Sequence, residues 1–125
     1  MNHDWQGMAK DITATMRDMR GGAPEVMKAF SGLAQAALGT KALDLKTKEL
    51  IALAIGVATR CDDCIAFHSK AAVEQGATRE EVLETLGMAV YMGAGPSMMY
   101  AAHAFDAYKT FADLEAGKAA ATPAP

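Results

Sequence analysis

The sequence predicts an all-α fold, a bundle of six helices, and three features lead to it. Apolar residues recur at three- and four-residue steps along most of the chain. No stretch of any length alternates apolar with polar residues, and glycine and proline fall where helices would be separated. With 125 residues, 51% hydrophobic and 22% charged, the chain has the composition of a core-forming protein and the length of one domain. That domain is expected over residues 1–116. The remainder, 117–125, rich in Ala with Thr and Pro, is expected to be a disordered tail.

From Asp4 to Arg20, the residues Trp5, Met8, Ile12, Met16 and Met19 mark one face of a first helix, which Gly21-Gly22 ends. Pro24 suits the first position of a second helix and Glu25 its first turn, with Val26, Phe30, Leu33 and Ala37 as the apolar face and Gly39 as the stop. Asp44 is the N-cap expected for a third helix over Leu45 to Thr59. Its stretch Leu50 to Ala58 is apolar all round, as in a helix buried at a domain or subunit centre. Arg60 and Cys61 mark a break, and a fourth helix then runs to Gln75 with Gly76 as its stop. Thr78-Arg79-Glu80-Glu81 is a capping box that opens a fifth helix lined by Val82, Leu83, Leu86 and Val90. After the turn Gly93-Ala94-Gly95-Pro96, a sixth is expected from Pro96 to Glu115, burying Met98, Ala102, Phe105 and Ala112.

Charge and segment patterns narrow the function classes. A net charge of −3 with no basic run, and few aromatic residues, speaks against nucleic acid as a partner. The N-terminus lacks a basic segment followed by an apolar one, so no signal peptide is expected. Thr85 to Phe105 contains no Asp, Glu, Lys or Arg and has the length of a bilayer span. Gly93 to Pro96 interrupts it, and Tyr100 and His103 follow, so two buried helices joined by a tight turn are the better reading. No membrane partner and a cytoplasmic location are expected. So much apolar material in so short a chain also favours self-association.

The chemistry centres on Cys61-Asp62-Asp63-Cys64 and His68. These are the only two cysteines. A structural disulfide gains most by closing a long loop, and this pair closes almost none. In a reducing compartment such a pair is more often catalytic or metal-binding. At about 100° per residue, Cys61, Cys64 and His68 share one stripe of a helix, so the thiols can meet and the imidazole can reach Cys64. A helix start near Arg60 would favour a thiolate, whereas Asp62 and Asp63 oppose one. Cys64 is then the attacking thiol, His68 takes its proton, and Cys61 resolves the product as a disulfide.

Plainer readings stand beside this one. The cysteines could be two inert buried residues. A zinc site would need His68, Glu49 or His103 to complete a shell that one CxxC only half supplies, so no metal, flavin or other cofactor is expected. Glu49 lies in the apolar third helix, where an unpaired carboxylate is costly, yet its spacing favours a half-solvated place beside Lys46 and Lys48. Tyr100 and His103, one turn apart, read as a core or interface pair, His3 as a surface residue near a frayed end, and the nine methionines as adaptable packing.

Three segments, Lys48 to Ala54, Cys61 to His68 and Met92 to Pro96, together resemble the carboxymuconolactone decarboxylase superfamily, in particular its short branch related to alkyl hydroperoxidase D, with a CxxCxxxH pattern. The resemblance spans Leu43 to Tyr108. It implies an alkyl hydroperoxidase D-like helical bundle that is oligomeric, as a homotrimer or homohexamer, with the dithiol in a cavity near a subunit interface. It implies Cys64 as peroxidatic thiol, Cys61 as resolving thiol, and Glu49 with His68 in a proton relay. It also implies a small peroxide or disulfide substrate and a thiol reductant such as a lipoyl-type dithiol carrier. That branch often carries His directly before the second cysteine; here the position is Asp63. The reading is therefore a thiol-dependent peroxidase or disulfide reductase. The alternatives are a lyase or isomerase on a small organic acid, with Glu49 and His68 as acid and base, and a redox-sensing module without catalysis.

Overall fold

A computed structural model describes residues 2–121. It contains five helices: α1 (Trp5–Gly22), α2 (Pro24–Leu38), α3 (Leu45–Ala58), α4 (Asp62–Glu74) and α5 (Arg79–Ala121). The predicted starts are there in atomic detail. Asp4 caps α1 by accepting from the Gly7 N–H at 3.0 Å, and Asp44 caps α3 by accepting from the Thr47 N–H at 2.8 Å. Thr78 and Glu81 form the reciprocal capping box, with bonds of 3.1 and 2.9 Å.

The expectation of six helices is corrected to five. Gly93 to Pro96 does not divide this stretch into separate helices; residues 79–121 run on as one element with a kink, at which Ala94 alone leaves helical geometry (φ 53°, ψ −137°). Pro96 has no N–H to give to the preceding turn and its ring would strike the carbonyl of Met92. A bend two residues ahead of the proline clears that clash without ending the helix. Gly93 is needed there, because a Cβ would overlap the side chain of buried Ser97. The kink also resets which side faces inward. Beyond it Ala101, Ala104, Ala107 and Phe111 are buried, while Met98 is 53% exposed, Ala102 is exposed and Phe105 is half-buried. A face of alanines lets α5 lie close along α3 and α4, which the bulkier methionine face would not. Residues 117–121, expected in the disordered tail, form the end of α5, as suits an alanine-rich run with a Glu115–Lys118 pair at 3.7 Å. Residues 122–125 of that expected tail lie outside the described residues.

The core sits between α3, α4 and α5, around Leu53, Val57, Ile65, Ala66, Val82 and Leu86. Helix α1 lies on α4 and α5 and is pinned by Trp5, which is fully buried and donates Nε1–H to Asp106 Oδ2 at 2.9 Å. His3 stacks on Trp5 with ring centroids 4.8 Å apart, so it is half-buried rather than a frayed surface residue. Helix α2 packs chiefly on α1 and has no buried residue; Val26, Phe30 and Leu33, expected to seek a core, are 64–70% exposed. Ile51 and Ile55 of α3 are also exposed, so α3 is not covered all round. Among the described residues, no helix is long and apolar enough to cross a membrane.

One ion pair ties the starts of α3 and α5: Lys46 Nζ to Glu81 Oε2, 2.8 Å. The hydrogen bond from Lys46, aided by the Thr78 N–H, holds the Glu81 carboxyl below its usual range, and the Thr47 hydrogen bonds do the same for Asp44. Carboxyls with lowered folded values stabilise the fold above the ordinary carboxylate range and lose that contribution as pH falls through their folded values. Asp44 is exposed and Glu81 only partly covered, so the effect is small. Urea midpoints should fall between about pH 5 and about pH 3, and Glu81→Gln should make that fall shallower.

Candidate active site

The site begins where α3 ends. Arg60 takes a left-handed conformation (φ 56°), its N–H bonds the Val57 carbonyl at 3.2 Å, and the Cys61 N–H bonds the Gly56 carbonyl at 2.9 Å. This is a Schellman turn, here built on a residue that carries a side chain rather than on glycine. The same turn ends α4, where Gly76 (φ 80°) occupies the left-handed position predicted for it.

The first turn delivers Cys61 to the N-cap of α4. Its Sγ accepts from the Cys64 N–H at 3.2 Å, and its carbonyl accepts from the Ile65 N–H at 2.9 Å. Cys64 thus sits in the first turn, with a Cα–Cα distance of 5.2 Å to Cys61, and the two are joined as a disulfide. Asp62 and Asp63 fill the first helical positions, where the N-terminal dipole favours acids. Their charges also lie beside the sulfurs. The pair can interconvert dithiol and disulfide and so exchange two electrons and two protons with a substrate.

Gly56 of α3 makes this placement possible. A Cβ there would come within 3.3 Å of the Cys64 Cβ, so the helices meet at the dithiol with no room for a larger residue. Gly56→Val should destabilise the protein by about 1–3 kcal/mol through overpacking, read as a lower urea midpoint, and should slow closure of the disulfide.

Glu49 stands on α3 and is only 5% exposed, so its half-solvated reading is corrected. The neighbouring lysines are engaged elsewhere: Lys46 with Glu81, and Lys48 Nζ with the carbonyls of Ala37 and Gly39 at 2.8 and 2.6 Å. The partner of Glu49 is His68, with Oε2 to Nδ1 at 2.7 Å. An ionised Glu49 accepts from Nδ1–H, which leaves Nε2 as the nitrogen available to take a proton. His68 is about one-third exposed and lies one helical turn beyond Cys64. Glu49→Gln keeps a polar group against the ring but removes the carboxylate that accepts from Nδ1–H. We expect disulfide formation to slow at least about tenfold, with an unchanged far-UV circular dichroism spectrum; an unchanged rate would remove Glu49 from the chemistry.

Four of the residues singled out by the sequence therefore fall in two adjoining pairs, Cys61–Cys64 and Glu49–His68. His103 and Tyr100 do not join them. Their rings, 5.5 Å apart, belong with His3 and Trp5, His103 being 4.5 Å from His3. A zinc shell drawing on His103 thus finds it in another cluster, and among the described residues no three His, Cys, Asp or Glu side chains gather to hold a metal. Gly56 was not singled out from the sequence, and Arg60 was read as marking the break without its left-handed backbone. A lone glycine inside an apolar helical run was the available signal for the first, whereas nothing marks an arginine as left-handed.

Residues 24–107 match the carboxymuconolactone decarboxylase family. A crystal structure of a family protein from Legionella pneumophila is 56% identical and superposes with a TM-score of 0.85, covering 86% of this chain and 96% of that one. A Thermotoga maritima family protein, for which involvement in an antioxidative response has been suggested, is 27% identical with a TM-score of 0.80, covering 88% and 94%. An uncharacterized protein of Cupriavidus necator is 45% identical over 87 residues, 67% of this chain and 77% of its own length. With two thirds of its length matched and its helices arranged as in the Legionella pneumophila and Thermotoga maritima structures, the chain belongs to the carboxymuconolactone decarboxylase family.

Proposed function

We propose that the protein is a thiol-dependent oxidoreductase, an alkyl hydroperoxidase D-like peroxidase or disulfide reductase, that cycles through a Cys61–Cys64 disulfide. The observation that carries the reading is that disulfide, set at the start of α4 one turn ahead of His68, which is bonded to buried Glu49. The suggested antioxidative role of the Thermotoga maritima relative supports it.

In the proposed cycle His68, steadied by Glu49, takes the Cys64 proton. The Cys64 thiolate attacks one peroxide oxygen; the S–O bond forms, the O–O bond breaks, and the alkoxide leaves as alcohol with that proton. Cys61 then attacks the sulfenic sulfur of Cys64, forming the disulfide and releasing water. With a disulfide substrate, Cys64 forms a mixed disulfide and Cys61 displaces the second thiol. A dithiol carrier of lipoyl type restores the cysteines by the reverse exchange. The relay has only Glu49 and His68, since Asp63 stands where related proteins often carry a second histidine. Self-association as a trimer or hexamer belongs to the same proposal, supported by the open apolar face of α2.

Reduced protein treated with one equivalent of alkyl hydroperoxide should lose two thiols and about 2 Da in intact mass, with one alcohol formed. Thiols that stay reduced against a panel of peroxides and disulfides would refute the proposal.

A further inference from the structure

A groove of about 480 Å³ runs between α1, α4 and the second half of α5. Its volume lies within the about 300–1,000 Å³ usual for small-molecule sites. Phe67, Val73 and Phe111 give it an apolar lining, and Lys10, Arg17 and Lys70 stand around it. Among the described residues, no ion pair engages these three cations. Glu115 on the same groove is paired with Lys118, so Glu74 is the carboxylate left to oppose them. A local positive excess thus exists in a chain whose net charge is −3.

We propose that this groove binds an amphipathic monoanion, a medium-chain carboxylate, with its chain along Phe111, Val73 and Phe67 and its head among Lys10, Arg17 and Lys70. Each half of the lining excludes simpler ligands. An inorganic anion would leave the apolar lining wet, and a neutral hydrocarbon would leave the cations unmatched. Glu74 disfavours a polyanion. Arginine and lysine together suit a carboxylate, the first by its planar fork and the second as a compact charge. On α4, Lys70 and Val73 lie roughly 120–180° around the helix from Cys64 and His68, with Phe67 at the near edge of the groove. The site is therefore separate from the dithiol, and its ligand is not the molecule being oxidised or reduced.

Titration calorimetry of the full chain with hexanoate, octanoate and decanoate tests the proposal. Affinity should rise about threefold to fourfold per methylene, and decylammonium and decanol should bind at least about tenfold more weakly than decanoate. Lys70→Glu and Arg17→Glu, both at exposed positions, should each weaken decanoate about tenfold. Ala14→Trp, which fills the groove without changing charge, should abolish binding, while Cys64→Ser should leave it unchanged. Circular dichroism confirms that each variant is folded. No binding of decanoate at millimolar concentration, equal binding of decylammonium, or unchanged affinity in both the charge and the filling variants would overturn the proposal.

Discussion

Cys64→Ser should lower peroxide or disulfide turnover by more than about a thousandfold. The substitution removes one sulfur and keeps nearly the same shape, so the contact with Gly56 that holds α3 to α4 is retained. A serine hydroxyl at neutral pH is a far weaker nucleophile than a thiolate, and Cys61 alone cannot close an intramolecular disulfide. Cys61→Ser makes the informative contrast. It keeps the attacking thiol and should complete one turnover, then stall as a sulfenic acid that a trapping diketone captures. Substrate consumption, trapped adduct and intact mass measured together separate the two variants. Residual turnover of Cys64→Ser near that of the parent would assign the first attack to Cys61, or move the chemistry away from the dithiol.

Trp5→Ala should cost about 3–5 kcal/mol of folding stability, the range for emptying a large aromatic site. Trp5 is fully buried, stacks on His3, and closes the bond to Asp106 from a position 101 residues earlier in the chain. It carries much of the attachment of α1 to α5, and most domains of this size have only about 5–15 kcal/mol to lose. Trp5→Phe refills some of the volume but leaves Asp106 without its donor, so an intermediate loss is expected. Urea denaturation followed by circular dichroism gives the ordering parent, Phe, Ala. If alanine cost under about 1 kcal/mol, α1 would be held by something other than this side chain.

Much of the local structure was legible because helix signals are short-range. Asp44 and the Thr78–Glu81 box act over three residues, and helical pitch puts His68 one turn beyond Cys64, whereas Cys61 stands outside the helix as its extended N-cap, which pitch does not place. What failed was tertiary. A Gly-Ala-Gly-Pro segment reads as a helix end, yet one residue with positive φ satisfies the proline and the helix continues past it. Which face of a helix turns inward depends on such a bend, so Met98, expected inside, is exposed, and Ala104 is buried. The pairing of Glu49 with His68 spans 19 positions, and periodicity within either helix cannot reveal that both lysines beside Glu49 are spoken for.

The turn that joins α3 to α4 has a consequence for the energetics of electron uptake. Cys61 is held by its own N–H on Gly56 and by its carbonyl under Ile65, and neither bond involves the S–S link. Its sulfur caps the helix whether it is one end of a disulfide or a free thiolate, because either can accept from the Cys64 N–H. Opening the bond therefore asks for no unwinding of α4 and little rearrangement of the backbone. The same framework serves both ends of the redox cycle, which keeps the reorganisation cost of each turnover low.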